Sequence, residues 1–598
     1  MKIRVADYLA KTFKDQGIRN VFLLSGGGMM HLLDGAAREP SLGLVCHHHE
    51  QAAGIAAEGY ARASETFGVC YATSGPGATN IVTALAGAWL DSTPVIFLTG
   101  QSKVSQTIKK SGFQGLRQFG TFEIDIVEVA KPISKFVWFL DRAEDAPYVL
   151  GKAIYLAQSG RPGPVLIDIP LDVQGALIDP ENCRAFVPPV GRILPAAEQM
   201  EAMLGRWRKA CRPLIVAGHG VRVSRTTTHL LDLAKSTGTP VVTTQLAKDI
   251  LPYDSPWFVG HPGVKGDRAG NLSIQAADFI LYLGSSIHVL NTGYEMDQYA
   301  SAAYKVQVDC DSANFDKEEI HVDLKLTADL DGFFSQILPV SGFIPHQTKA
   351  WRDWTQACKK RFPVFSEAHK TEPDRLNIYR VLERLQQVAD EQTIVVTDAG
   401  SAFYAVGQAW QLKEGQRVIT SGGFGAMGWA LPAATGAAKA CPTRPVYCIT
   451  GDGSLQVNIH ELAVISHHHC NVKIIVLNNN GYQSIKNTQN NYFNGFHAGV
   501  DSSSGVWIPS MGDLASTYHL PYYKVCSEVE LGEIQGSALR SEGPCLIDIH
   551  CNLFQEIIPT VSSRQLPDGR MTSMPIHHMA PFLSEDELRS LMLITSNS

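Results

Sequence analysis

Several common signatures are missing from this chain. Its 598 residues include 12 cysteines but no CxxC pair, which excludes a zinc ribbon and a thioredoxin-like motif. No HExxH is present, so the commonest helical zinc site is excluded as well. No apolar run reaches the ~20 residues that span a bilayer. Charged residues make up only 18% of the chain, and the net charge of −7 is interspersed. Without a basic patch or a charged tail, neither a nucleic-acid nor a membrane partner is expected. The opening MKIRVADYLAKTFKDQG reads as an amphipathic helix rather than a secretory leader. With sparse, scattered cysteines, the expected setting is the reducing cytoplasm.

What is present is a long, ordinarily apolar chain, 45% hydrophobic, too long for one core. Short buried strands alternate with helical segments, the rhythm of a parallel, doubly wound α/β sheet. VFLLSGGG, LGLVCHH, GVCYATSGPG, PVIFLTG and PVLIDIPLDV form a first block over 1–178. PLIVAGHGV, PVVTTQ, FILYLGSS and YKVQVDCD form a second over 190–340, followed by a connecting segment. TIVVTDAGS, PVYCITGDGS, NVKIIVLNNNG and PCLIDIHC form a third over 372–560, and an irregular tail fills 561–598. Three α/β domains are expected.

The third block carries the most specific signal. Asp452 in ITGDGS follows one strand and Asn479 in NNNG follows the next, 27 positions later. One helix and one strand fit that interval, so both residues fall on the carboxyl edge of a parallel sheet, where ligands bind. A carboxylate, an amide oxygen and a backbone carbonyl there suit magnesium with phosphate oxygens. The glycines allow close backbone approach, and a helix start offers its amides to a diphosphate.

A different stretch, VCHHHEQAAG at 45–54, suggests a metal site. At a strand end, adjacent side chains point to opposite faces, so His47, His48 and His49 cannot converge on one ion. The second triplet, His467–His469, reads as a solvated helix terminus. For His49, packing, a backbone hydrogen bond and a catalytic role all remain open.

GDGS and NNNG at this spacing resemble the GDG…NN motif of thiamine-diphosphate enzymes. SGGGMMHLLD, HHEQAAGIAAEGYAR, TSGPGATN, AGAWLDSTPV, SGRPGPVLIDIP and SGGFGAMGWALPAATG extend the likeness over most of the chain. The whole resembles the acetohydroxyacid (acetolactate) synthase branch. The tail, SRQLPDGRMTSMPIHHMAPFL, is similar to that of acetolactate-synthase-like proteins associated with polysaccharide genes, some of which transfer a two-carbon unit to a nucleotide-linked ketosugar. The resemblance implies thiamine diphosphate and Mg2+ as cofactors. It implies Glu50 as the carboxyl facing the cofactor's aminopyrimidine, with Pro76 and Asn80 against that ring. Gly400, Ser401, Gly453 and Ser454 would hold the diphosphate, and Asp452, Asn479 and the Gly481 carbonyl the metal. Gly425 would accept from the cofactor's amino group, and Met427 would be the apolar wedge beneath it. The family's sites are shared between subunits, which implies a homodimer or homotetramer. The implied activity is a carboligase/lyase that decarboxylates a 2-keto acid, most simply pyruvate, and joins the two-carbon unit to a second carbonyl compound. Acetolactate synthase proper and a simple decarboxylase are the alternatives.

Four positions depart from that family: Leu171 in place of a lysine, Phe122 of a glutamine, Thr488 of a tryptophan, and Gln483 of a glycine. Phe122, Leu171 and Thr488 would face substrate, implying a roomier, less cationic pocket. Relatives hold FAD in the central domain with an arginine-rich segment. Here that segment is LGSSIHVLNTGYE, with Ser286 and His288 and no arginine, while Arg268 in GHPGVKGDRAGN survives. FAD is left open.

Overall fold

The computed structural model describes residues 1–593 apart from 114, 318, 343–348, 367, 368, 370 and 566–570. It contains three six-stranded sheets, and the doubly wound α/β architecture expected from the strand–helix rhythm is present in each. The first comprises β1 (Asn20–Leu23), β2 (Gly43–Cys46), β3 (Gly68–Ala72), β4 (Val95–Gln101), β5 (Phe136–Phe139) and β6 (Val165–Pro170). They lie in the order β2-β1-β3-β4-β6-β5 and pair in parallel. The central sheet comprises β7 (Pro213–Ala217), β8 (Val241–Thr243), β9 (Phe258–Gly260), β10 (Phe279–Leu283), β11 (Tyr304–Asp309) and β12 (Leu324–Thr327). Its order is β9-β8-β7-β10-β11-β12, also parallel.

The third sheet comprises β13 (Ile394–Thr397), β14 (Arg417–Thr420), β15 (Val446–Gly451), β16 (Val472–Asn478), β17 (Tyr522–Val525) and β18 (Cys545–His550), in the order β14-β13-β15-β16-β18-β17. Interior strands such as β3, β4 and β16 are buried at every position. Sheets covered on both faces by helices require such continuous apolar runs.

The chain packs as two compact units. Met1–Val190, Gln392–Ala402 and Ile419–Leu553 form one, carrying the first and third sheets; Gly191–Glu391, Phe403–Val418 and Phe554–Ser598 form the other around the central sheet. Within the first unit the two sheets meet through helices α1 (Glu50–Ser64), α2 (Val82–Leu90) and α3 (Ala430–Ala440), whereas α4 (Gln483–Tyr492) follows β16. The sequences of α1 and α3, EQAAGIAAEGYARAS and ALPAATGAAKA, are mostly small residues. That lets the backbones touch: a Cβ on Gly59 would lie 2.2 Å from the Ala433 carbonyl oxygen, and one on Gly436 1.9 Å from that of Ala56.

Several elements were not anticipated. β5 is short, and its half-buried FVWF is apolar at every position without alternating between buried and exposed. The connecting segment contains a helix, Lys349–Arg361, whose buried Trp351 donates its indole N–H to the Pro213 carbonyl at 2.8 Å. The tail is not wholly irregular: Thr560–Val561 pairs antiparallel with Met579–Ala580, and a helix runs over Glu585–Leu593.

Replacing Gly436 by valine puts a branched side chain into backbone. The expected result is a loss of about 1–3 kcal/mol or more, as for overpacked cores, seen as a lower Tm in thermal melting. An unchanged Tm would show that the crossing has slack.

Candidate active site

The pyrimidine side of the expected site is built on the first sheet. β2 ends at Cys46, the histidine turn follows, and Glu50 is the first residue of α1. Its side chain is 6% exposed, and its Oε2 accepts from the Asn80 amide at 2.9 Å. Asn80 closes the helical turn Pro76–Asn80 after β3. Gly75 enters that turn at φ +62°, and a Cβ there would lie 2.5 Å from the Phe122 carbonyl oxygen. A Cβ on Gly77 would come within 3.1 Å of Glu50 Oε1. The two glycines thus let the loop close around the carboxyl. Glu50, exposed Pro76, Asn80 and Phe122 are brought together.

The histidines form no metal centre: among the described residues no group of three or more His, Cys, Asp or Glu could hold an ion. They diverge. His47 Nδ1 bonds Glu461 Oε2 at 2.7 Å, and the His48 amide donates to Glu461 Oε1 at 3.1 Å. His49 Nδ1 accepts from the Gln51 amide at 3.1 Å, capping α1. Of the roles left open for His49, this is a backbone hydrogen bond. His467 ends the helix Leu462–His467, and burial pushes His468 down to about 4.

The diphosphate side is built on the third sheet. β15 and β16 are parallel neighbours with Gly451 opposite Leu477, so Asp452 and Asn478–Gly481 emerge from one edge. Asp452 is 1% exposed and accepts from the Gly453 and Gly481 amides, both at 2.9 Å. Burial raises its pKa to about 6. Asn479 is buried too, and its Oδ1 has no hydrogen-bond partner among the described residues. Gly481 sits at φ +136°, where a Cβ would lie 2.0 Å from the Val500 carbonyl oxygen, so only glycine fits. A desolvated carboxylate beside an orphaned amide oxygen fits a hard divalent cation, which would relieve both.

Gly400, at φ +63°, opens the helix Gly400–Ala409, and Ser401 Oγ lies 3.4 Å from Ser484 Oγ on α4. Ser454 differs: its hydroxyl donates to Asp398 at 2.6 Å and accepts from the Gly428 amide at 2.9 Å. Its side chain serves the core, which leaves its backbone for a ligand, as with Gly453.

The loop of Gly425 and Met427 is held by residues that the sequence did not single out. Asp91, just after α2, accepts from the Gly422 amide at 3.1 Å and the Gly423 amide at 2.6 Å. Arg62 on α1 reaches Asp91 at 3.4 Å and the Thr420 carbonyl at 2.5 Å. Glu58, fully buried, accepts from the Trp429 indole at 2.9 Å. Burial, reinforced by Asp91, holds the Glu58 carboxyl well above the usual range. Charges inside an alanine-rich helix were the available signal. Met427 remains 37% exposed, an apolar side chain lacking full cover.

Phe122 is 67% exposed at φ +56°. Leu171 begins the turn after β6, and exposed Thr488 on α4 donates its hydroxyl to the Ser484 carbonyl at 3.1 Å. Glu50 and Asn80 form one cluster, and Asp452, Asn479 and Gly481 another. No hydrogen bond among the described residues joins the two clusters.

In the central unit, the positions tied to FAD have partners within the protein. Arg268 donates to the Met579 and Pro581 carbonyls, Ser286 O accepts from Lys317, and His288 Nδ1 accepts from the Leu290 amide. No step below is routed through a flavin.

Comparison with known proteins shows the family. Residues 3–121 match the N-terminal TPP binding domain of thiamine pyrophosphate enzymes, 200–337 their central domain and 398–549 their C-terminal TPP binding domain. Acetolactate synthase isozyme 1 large subunit of Escherichia coli (strain K12) is 31% identical over 93% of this chain and 95% of its own length. Acetolactate synthase 1, chloroplastic, of Zea mays is 32% identical over 93% of this chain and 87% of its own. The chain belongs to the thiamine-diphosphate-dependent, acetolactate synthase-like enzymes.

Proposed function

We propose that this enzyme decarboxylates pyruvate and joins the two-carbon unit to a second carbonyl compound bulkier and less charged than a 2-keto acid. When bound, thiamine diphosphate supplies a carbon nucleophile and an electron sink. Glu50 holds and returns the proton that activates the aminopyrimidine, and Asn80 fixes the carboxyl's direction. Asp452, the Asn479 side-chain oxygen and the Gly481 carbonyl hold Mg2+. The Gly400, Ser401, Gly453 and Ser454 backbone, with the Ser401 hydroxyl, binds the diphosphate. Gly425 would offer its carbonyl to the cofactor's amino group, and Met427 would give the cofactor an apolar contact. The observation that carries this proposal is the orphaned Asn479 oxygen at the same sheet edge as the raised Asp452 carboxyl.

Two chains are the smallest assembly that completes a site: Glu50 then meets the metal site across a subunit boundary, and Met427 and Phe122 gain cover. A homotetramer is two such pairs. The twelve cysteines are scattered with no CxxC pair, which supports a cytoplasmic setting. Acceptor choice rests on exposed Thr488, with Leu171 and Phe122. A plain acetolactate synthase is the second reading, favoured by the named relatives.

Purified protein with Mg2+ and thiamine diphosphate is expected to consume pyruvate slowly alone and faster with one member of a ketone panel. Acetolactate accumulating from pyruvate alone at full rate would favour the second reading, and no pyruvate loss would refute both. Glu50→Gln is expected to lower kcat by about 100-fold or more, the scale of a lost acid–base group. Thr488→Trp is expected to shift acceptor preference toward smaller keto acids.

Asp452 gives a pH prediction. Burial raises its pKa from 3.8 to about 6. In metal-free protein it therefore adds stability below the lower value, and that contribution is lost as pH rises through the higher one. Melting in EDTA is expected to show that loss in wild type and not in Asp452→Asn. The same variant should no longer retain Mg2+, whereas wild type should release it progressively below about pH 6 as protons compete.

A further inference from the structure

The turn that delivers Glu50 to Asn80 is held from the other sheet of its unit. Glu461 lies in the short turn Ile459–Glu461 before the helix Leu462–His467 of the third sheet's block, and it is 0% exposed. One of its oxygens meets His47 Nδ1 at 2.7 Å; the other accepts the His48 amide at 3.1 Å. One carboxylate therefore grips two successive residues, three and two positions before Glu50. His47 is as buried as its partner, and its Nε2 has no hydrogen-bond partner among the described residues. Among those residues the ring's one hydrogen bond is to Glu461, whose carboxylate accepts, which assigns the proton to Nδ1. His47 is also tied to the first sheet, because its amide donates to the Leu23 carbonyl at 2.8 Å. The same two turns meet again where the His49 and His460 rings pack with centroids 6.0 Å apart.

We propose that Glu461 is a positioning residue for Glu50, acting through His47 and the His48 amide. Hydrogen bonds inside a dry interior are stiff, and breaking one leaves a buried group unpaired. With Glu461 in place, the turn from His47 to Glu50 is held, and α1 starts where the Glu50 carboxyl meets Asn80. Without it, the turn is free to shift. A displacement of about 1 Å at a reacting group costs on the order of 100-fold in rate. The three histidines of VCHHHE thereby have a purpose other than metal binding: one anchors, one offers its amide and one caps the helix. This inference rests on the role proposed above for Glu50.

The test measures hydrogen–deuterium exchange at the cofactor's C2 position in holoenzyme at saturating Mg2+ and thiamine diphosphate, with acid quench and NMR, and Tm alongside. Glu50→Gln sets the scale of the loss. Glu461→Ala and His47→Leu are expected to slow exchange by about tenfold or more, part of the loss that a displaced group produces. His47→Asn, whose side-chain amide can replace Nδ1–H, is expected to recover most of the rate. If Glu50→Gln slows exchange while His47→Leu and Glu461→Ala lower only Tm, the pair is structural and the inference falls. Should Glu50→Gln itself exchange at the wild-type rate, the role of Glu50 fails first, and the inference with it. If Glu461→Ala does not fold, the two His47 variants decide alone.

Discussion

The contact on which the catalytic unit depends is the crossing of α1 and α3. Gly59 and Gly436 let two backbones meet where any side chain would collide. That contact joins the first and third sheets around one continuous core, in which Ile55, Ala56 and Tyr60 of α1 pack with Ala433 and Ala437 of α3. Two parts of the site hang from these helices. α1 begins with Glu50. The loop of Gly425 and Met427 leads directly into α3.

Polar links then fix what the crossing has brought near. At the front of α1, Glu461 holds the histidine turn. At its far end, Glu58 takes the Trp429 indole and Arg62 takes the Thr420 carbonyl. Asp91 binds two amides of the loop between β14 and α3. Glu461, Glu58, Asp91 and Arg62 are themselves buried, so their bonds act at lowered effective dielectric and lose much if broken. The apolar crossing supplies proximity, and the buried polar pairs supply direction.

Much of this was legible in the sequence. The interval from Asp452 to Asn479 works as a ruler because one strand-helix-strand unit returns the chain to the same sheet edge. His47, His48 and His49 diverge, as strand alternation led one to expect, but they do so in the turn after β2, where Glu461 and the Gln51 amide set their directions. Glu50 and Asn80, in contrast, needed the family likeness, because their partnership joins two loops with no fixed spacing. Glu461, Asp91, Glu58 and Arg62 escaped notice because their partners lie hundreds of residues away: Glu461 is 414 positions from His47, and Trp429 is 371 from Glu58. No local period encodes such pairs. Ser454 had the right motif, but Asp398 claims its hydroxyl. The helix within the connecting segment has its apolar face on Trp351, Thr355 and Cys358, a stripe diluted by five lysines and arginines.

The division of the chain has a consequence for how such proteins can diversify. The catalytic unit is discontinuous: its halves flank the segment Gly191–Glu391, yet they share a core. Residues that face each other across that core must change together, although their codons are far apart. The central segment is under no such demand from the core. Exchange of genetic material between relatives should therefore be tolerated where the junctions bracket the central segment, and punished where one junction falls between Glu50 and Glu461 without a second to restore the match.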